Sequence, residues 1–94
     1  MVKGITARLR AARKRKADRM LARVNAIVSA RDVSCRRCGG IWQLHHHHIL
    51  WRSRGGQHTT QNVVLVCAAC HRLIHDHLLD VSGDADGTLT WSAR

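Results

Sequence analysis

Four cysteines are arranged as two Cys-x-x-Cys pairs, a spacing that zinc-binding proteins use. Cys35 and Cys38 form the first pair, and Cys67 and Cys70 form the second. Two intervening residues place both sulfurs of a pair on the same side of a tight turn, so two pairs can supply the four corners of a tetrahedral site. A site closed by four thiolates has no open coordination position, and we therefore expect a structural zinc ion there rather than a catalytic one.

Two disulfides are the alternative, and the beginning of the sequence argues against them. Residues 1–30 carry many lysines and arginines without a continuous apolar segment, so they do not resemble a secretory signal peptide. No run approaches the ~18 apolar residues of a membrane span, and we expect no membrane association. We expect a cytoplasmic location, where the reducing environment favours zinc binding by paired Cys-x-x-Cys motifs.

A separate group of histidines has the spacing to bind a second ion. His71 and His75 follow the second cysteine pair, and residues four apart share one face of a helix. Upstream, four consecutive histidines run from His45 to His48 in a segment that is typical of a strand. Alternation along a strand sends the odd-numbered members to one face and the even-numbered members to the other. One histidine can then bind an ion while its neighbour accepts a proton from water, as hydrolysis requires.

Two further histidines are predicted to be ordinary surface residues. His77 lies about 200° around the predicted helix from His75, so it should not join the same cluster. His58 belongs to a polar loop. The alternative that the four-histidine tract is an affinity tag is disfavoured, because the tract is internal and flanked by apolar residues.

The chain of 94 residues has a formal net charge of +10, and the positive charge is concentrated near its start. Ten of the sixteen lysine and arginine residues lie within residues 1–31, where Asp18 is the single acid. This density indicates a polyanionic partner, most simply nucleic acid, although a solvated helix face is the alternative. The residues expected to contact a nucleic-acid backbone are Arg13, Lys14, Arg15, Lys16 and Arg19.

Apolar periodicity and turn residues predict the elements that position these groups. Residues 5–30 are predicted to be one helix, because alanine, arginine, lysine and leucine dominate and proline is absent. An apolar stripe on this helix is expected to pack on the cysteine-bearing part: Met20, Leu21, Val24, Ile27 and Val28. Downstream, the predicted elements are a zinc knuckle at 34–40, strands at 41–48 and 63–66, and a loop at 52–61.

The last third of the chain is predicted to begin with a helix at residues 68–79. Its inward-facing residues should be Leu73, Ile74 and Leu78. A turn is expected at 83–87, followed by a short strand at 89–91. Phenylalanine and tyrosine are absent from the sequence, so the core is poor in large side chains and a structural metal becomes more plausible.

The order of these residues resembles the HNH endonucleases, and the resemblance covers roughly residues 35–77. It is carried by His47-His48-Ile49-Leu50-Trp51-Arg52-Ser53-Arg54-Gly55-Gly56, then by Asn62 through His75. The paired Cys-x-x-Cys motifs are similar to the zinc-stapled subset of this family that phage and bacterial genomes encode. The fold that this implies is α+β: a small ββα-metal domain stapled by a four-cysteine zinc site and preceded by a long basic N-terminal helix.

The resemblance also implies a role for each matching residue. His47 would be a metal ligand and His48 the general base that activates water. His71 and His75 would be the helix ligands of the same ion, and Asn62 would tie the loop between the strands and orient the base.

The chemistry of two arginines in the matching segment gives them roles, and one residue differs from the family pattern. Arg52 is expected to stabilise charge at the phosphate, and Arg54 to contact nucleic acid. Trp51 stands where many members of the family have proline, so the exit from the strand is expected to differ. The ion implied is one divalent cation, with Mg²⁺, Mn²⁺, Ni²⁺ and Zn²⁺ all left open.

These features predict a metal-dependent DNA endonuclease that cuts double-stranded DNA with low sequence specificity and leaves 5′-phosphate and 3′-hydroxyl ends. The division expected is a basic helical arm (1–32), a nuclease domain (33–80) and a C-terminal tail (81–94). One alternative is a non-catalytic zinc-knuckle DNA-binding protein. Another is an accessory protein of phage genome packaging that docks on terminase subunits, a partner that small phage members of the family suggest.

Overall fold

The computed structural model describes residues 6–94 as a long helix followed by two small antiparallel hairpins with a short helix between them. The elements are helix α1 (Ala7–Asp32), strand β1 (Leu44–His48), a 3₁₀ turn (Arg52–Arg54), strand β2 (Val63–Cys67), helix α2 (Ala68–His75), strand β3 (Leu79–Gly83) and strand β4 (Leu89–Ala93). Strand β1 pairs with β2, and β3 pairs with β4. The α+β class is therefore confirmed, and β1, β2 and α2 form a ββα unit.

Helix α1 begins and ends at recognisable caps. The Thr6 hydroxyl accepts a hydrogen bond from the backbone N–H of Leu9 at 3.2 Å, which satisfies one of the free donors of the first turn. The helix runs two residues beyond the predicted end at 30 and stops at Val33, whose φ of 65° is unusual for a β-branched residue. Ile5, where the helix was predicted to begin, lies outside the described residues.

Only the C-terminal half of α1 packs on the rest of the protein. Val28 is fully buried against Val63 and Leu65 of β2. The predicted apolar stripe is confirmed at Val28 but not throughout, because the side chains of Met20 and Ile27 are 61% and 46% exposed. The charged middle of the helix is exposed, as expected.

A buried carboxylate fastens α1 to the cysteine-bearing part. The Asp32 side chain is fully buried and accepts hydrogen bonds from Arg31, Arg36 and the backbone N–H of Leu65, at 2.6, 2.7 and 3.0 Å. Burial alone would raise the pKa of Asp32, but these three donors outweigh it and lower the pKa. Arg31 also donates to Asp86 at 2.8 Å, so the same network reaches the β3–β4 turn.

Strand β1 is shorter than predicted and begins at Leu44 rather than at residue 41. The backbone N–H of Cys35 bonds to the Gly40 carbonyl at 2.8 Å, and Gly39 has a φ of +77°, so the chain turns tightly around the first cysteine pair. Trp42 is 81% exposed, and the positive φ of Gln43 redirects the backbone before pairing starts. All five residues of β2 are buried, since this strand is covered by helices on both faces.

Helix α2 ends at His75, four residues before the predicted end. The positive φ of His77 (59°) breaks the helix, and Leu79 then begins β3. Ile74 is buried as expected, whereas Leu78 is 52% exposed, contrary to the prediction. The late strand is confirmed and is longer than expected, while its partner β3 was not predicted.

The β3–β4 hairpin closes one end of the core. Leu79 and Ala85 are 2% and 1% exposed, and both belong to the apolar cluster that includes Ile74 of α2 and Val64 and Val66 of β2. Among residues 6–94, no helix is long and apolar enough to span a membrane.

Candidate metal centres and the residues around them

The structure brings the four cysteine sulfurs together where the knuckle meets the start of α2. The Sγ atoms of Cys35, Cys38, Cys67 and Cys70 lie within 4.8 Å of one another, and none of the four forms a disulfide. The Cys38 and Cys67 sulfurs are 3.6 Å apart, close to the ~3.8 Å expected for a tetrahedral site with Zn–S distances near ~2.3 Å. The cluster therefore suits a structural zinc ion.

The chemistry of the four sulfurs also favours a bound cation. Burial raises the pKa of Cys70 to about 12, and the neighbouring sulfurs act in the same direction while Arg37 opposes them. Burial acts against ionisation of Cys35 as well, but hydrogen bonds from nearby backbone N–H groups lower its pKa to about 6. Four thiolates in so small a volume repel one another, so a cation is needed to hold all of them ionised.

Three imidazoles form a second cluster between β1 and α2. His47 comes from β1, and His71 and His75 come from successive turns of α2, with one nitrogen of each lying within 4.8 Å of the others. The Nε2 atoms of His71 and His75 are 3.0 Å apart, which is close to the separation of two adjacent ligands on an ion at ~2.1 Å. Helical spacing of four residues produces this proximity, as the sequence predicted.

His47 combines a buried ring with a ring nitrogen that has no hydrogen-bond partner within the described part of the chain. Among residues 6–94, its Nε2 is the one buried side-chain nitrogen or oxygen atom without a hydrogen-bond partner. Buried polar atoms without partners are costly and rare. Burial, followed by the nearby His71, His75 and His48, lowers the pKa of His47 to about 4, so its imidazole is neutral and has a lone pair to donate at physiological pH.

Alternation along β1 sends the two even-numbered histidines of the tract to the α1 side. His46 Nε2 lies 3.0 Å from the Ser29 hydroxyl, and His48 Nε2 lies 2.9 Å from Nδ1 of His58. His58 Nε2 in turn lies 2.8 Å from Oδ1 of Asn25 on α1. His45 stays exposed beside His71 on the opposite face, with 5.0 Å between ring centroids.

The interpretation of His58 as an ordinary surface histidine is therefore wrong. Its ring is partly buried between β1 and α1, and it is hydrogen-bonded on both nitrogens. Burial, and then the positive charge of Arg52, lower the pKa of His58. His77 is exposed and lies outside the cluster, as expected, with its ring stacked on Trp51 at 5.8 Å.

Asn62 fastens the loop between β1 and β2. Its Oδ1 accepts from the backbone N–H of Leu50 at 2.8 Å, and its Nδ2 donates to the carbonyls of Leu50 and Gln57 at 3.0 and 2.9 Å. Within the described residues, Asn62 makes no hydrogen bond to His48, so any effect on that side chain passes through the loop backbone.

The two loop arginines line different clefts. A cleft of about 300 Å³ is lined by His46, His47, His48, Trp51, Arg52, Ser53, His71 and His75. Arg52 thus shares a surface with the three-histidine cluster and with His48. Arg54 lines a neighbouring cleft of about 610 Å³ beside the β3–β4 hairpin, and residues 13–19 line neither cleft.

Sequence reasoning missed Asn25 and His58 because their contacts join distant parts of the chain. Asn25 lies 33 residues from His58, and His58 lies ten residues from His48. An asparagine at an inward-facing position of an otherwise basic and apolar helix was the available signal for Asn25.

One protein family, described as HNH endonuclease, matches the sequence at residues 35–77. No curated protein and no solved structure matches the chain. The matched segment contains the ββα unit and both metal-ligand clusters. Residues 35–77 therefore match the HNH endonuclease family, and the four-cysteine cluster fits its zinc-stapled subset.

Proposed function

We propose that this chain is a metal-dependent DNA endonuclease that hydrolyses phosphodiester bonds with low sequence specificity and leaves 5′-phosphate and 3′-hydroxyl ends. One observation carries the proposal: the three-histidine cluster and His48 line the same cleft, with Arg52 beside them. The family match supports a nuclease-type function in general.

The ligands of the working ion are His47, His71 and His75 in this proposal. Three neutral imidazoles suit Zn²⁺ and Ni²⁺ especially, and Mn²⁺ and Mg²⁺ are weaker candidates by ligand type. Held by these three residues, a divalent ion would supply positive charge to polarise the phosphoryl oxygen and stabilise the leaving 3′ oxygen.

His48 is the general base. Its Nε2 is engaged by His58, so Nδ1 is the nitrogen that can take the proton of the attacking water. Burial, then the nearby His58 and Arg52, lower the pKa of His48, which favours its neutral form. Asn62 keeps the loop that follows β1 in place, and the Arg52 guanidinium binds the phosphate and offsets its developing charge.

Double-stranded DNA is held mainly through its backbone. The exposed basic residues of α1 and Arg54 contact phosphates, and such contacts carry no base sequence information. Low sequence specificity and a steep loss of affinity with salt follow from this mode of binding.

A plasmid-nicking assay tests the proposal. Supercoiled DNA is incubated with the protein and Mg²⁺, Mn²⁺, Ni²⁺, Zn²⁺ or EDTA, beside a His48→Ala variant that retains its structural zinc. Metal-dependent nicking that falls about 10²- to 10⁴-fold in the variant is the expected result. His77→Ala is the matched control, since His77 is exposed and outside the cluster, and it should nick like the wild type. Nicking by His48→Ala at the wild-type rate would refute the assignment of the base.

A non-catalytic DNA-binding or genome-packaging accessory role is the second candidate. Exposed apolar side chains favour it, since Met20, Ile41 and Trp42 are 61%, 71% and 81% exposed and suit a protein partner such as a terminase subunit. DNA binding without cutting in every metal, together with co-purification with a terminase, would support this candidate over the nuclease.

A further inference from the structure

A chain of hydrogen bonds connects helix α1 to His48. Asn25 Oδ1 lies 2.8 Å from His58 Nε2, and His58 Nδ1 lies 2.9 Å from His48 Nε2. All three side chains are partly buried between α1 and the α1-facing side of β1. Asn25 precedes the segment that matches the family, so the family resemblance does not specify this connection.

The direction of each hydrogen bond follows from the chemistry of the end group. An amide oxygen can only accept, so His58 must donate from Nε2 to Asn25. A neutral imidazole carries one N–H, which leaves His58 Nδ1 as an acceptor. His48 must therefore donate from Nε2, and its Nδ1 keeps a free lone pair.

We propose that Asn25 and His58 are positioning residues that hold His48 in the tautomer with hydrogen on Nε2, so that Nδ1 is free to act as the base. The inference rests on the proposed nuclease function of the His48 site. It makes α1 part of the catalytic unit, in addition to any contact that the helix makes with DNA.

Imidazole ¹⁵N NMR spectra of the full chain with its structural zinc read the tautomer directly. At a pH well above the ordinary pKa of histidine, wild-type His48 should show a protonated Nε2 and an unprotonated Nδ1. Asn25→Leu removes the acceptor and should produce a mixture of tautomers at His58 and His48. Asn25→Asp keeps an acceptor oxygen and should preserve the wild-type pattern.

Cleavage kinetics provide the second readout. Asn25→Leu and His58→Leu should lower kcat about 10- to 100-fold with little change in the KM for DNA, because they disturb the base and not the binding of the substrate. His58→Asn, which can place an oxygen near the position of Nδ1, should recover most of the loss. Ser29→Ala is the matched control, because it removes a contact to His46 from the same helix face and should leave kcat unchanged.

The outcomes separate this inference from the proposed function. A wild-type His48 with hydrogen on Nδ1, or a tautomer that Asn25→Leu does not alter, would overturn the positioning role even if the protein cuts DNA. Absence of cleavage by the wild type in every metal would refute the nuclease proposal, while the NMR spectra would still decide the tautomer.

Discussion

The two faces of the β1–β2 hairpin are stabilised by different means. Toward α2, the hairpin presents His47 beside two further imidazoles, next to a cluster of four sulfurs. Toward α1, it presents His46 and His48, whose rings have protein hydrogen-bond partners, over a small apolar cluster around Val28. One face thus suits metal ions, and the other is satisfied by the protein itself.

This difference explains how neighbouring identical residues are suited to different tasks. His47 and His48 are adjacent, yet one has a buried nitrogen with no partner and the other is hydrogen-bonded to His58. In the proposed mechanism, the hydrogen-bonded imidazole of His48 is held for proton transfer and the unpartnered neutral imidazole of His47 binds the ion. The strand pleat, and not the residue type, separates the two environments.

Removal of the structural zinc is expected to have the largest effect on stability, and it should disrupt the packing on the α2 side of the hairpin. Cys67→Ser, or a strong chelator, is expected to unfold the ββα unit, because structural zinc in small domains contributes about 10–16 kcal/mol at neutral pH. Far-UV circular dichroism with metal analysis measures this. A variant that keeps the wild-type unfolding transition without zinc would contradict the structural role of the cluster.

Removal of the buried Asp32 carboxylate is expected to have the second-largest effect on stability, because it weakens the attachment of α1 to the hairpin. Asp32→Ala leaves two arginines and the Leu65 N–H without their shared partner, and we expect a loss of about 3–5 kcal/mol of unfolding free energy. Urea unfolding of the zinc-loaded protein measures it. Asp18→Ala is the control, because the exposed Lys14–Asp18 pair on the same helix should contribute less than ~1 kcal/mol. Equal effects of the two variants would show that Asp32 does not anchor the helix.

Removal of one imidazole tests whether the three-histidine cluster on the α2 side of the hairpin binds a metal ion. His47→Ala is expected to weaken binding of a second equivalent of Ni²⁺ or Zn²⁺ by more than about 100-fold, since it deletes a proposed ligand. His45→Ala is the matched control on the same face of the strand, outside the cluster. Calorimetric titration of protein whose four-cysteine site already holds zinc measures the affinity of both variants for the second ion. Similar losses in the two variants would argue against a specific role for His47.

The basic arm of α1 should contribute affinity without affecting the metal site. Replacing Arg13, Lys14, Arg15 and Lys16 by glutamine should reduce the dependence of log affinity on log salt by roughly 0.9 for each phosphate that the arm no longer neutralises. Fluorescence anisotropy over a salt series measures the slope. Arg72→Gln with Arg94→Gln removes two positive charges outside the arm, both paired with aspartates, and should change the slope less for each charge removed. An unchanged slope in the arm variant would exclude the arm from the DNA interface.

The smallest effect should be on the pH dependence of cleavage. A general base must be neutral, and burial, His58 and Arg52 lower the pKa of His48, so activity should rise with pH and reach half its plateau below pH 6.5. A bound cation acts in the same direction. Arg52→Gln should move the midpoint upward. Single-turnover rates between mildly acidic and neutral pH measure it, and a midpoint above 6.5 in the wild type would contradict the environment described for His48.

The sequence predicted the proximity of the four sulfurs and of the three imidazoles well because the geometry of each motif is local. A Cys-x-x-Cys turn and an i, i+4 histidine pair each fix a spatial relation within a few residues. The strand alternation that separates His47 from His48 is local in the same sense. Once the two strands are paired, these short patterns bring the sulfurs and the imidazoles together.

The remaining features depend on contacts that no local pattern encodes. Asp32 reaches the backbone of Leu65, and Asn25 reaches His58, each across 33 residues. The early end of α2 at His75 and the unpredicted strand β3 have a common cause, since Leu79 enters the apolar cluster around Ile74 as the first residue of a strand paired with β4 and not as part of the helix. Tertiary burial overrode helical propensity there.

The register of β1 has an evolutionary consequence for the histidine tract. Pairing is fixed at the downstream end, where the Ile49 N–H bonds to the Asn62 carbonyl at 2.8 Å, while the upstream connection through Ile41 and Trp42 is exposed and irregular. Deletion of one histidine would draw the upstream connection forward by one residue and still leave histidines at the positions of His47 and His48. The repeated residue therefore keeps histidines at these two positions when one histidine is lost, although Gln43 would then occupy the position from which Leu44 packs on both apolar clusters.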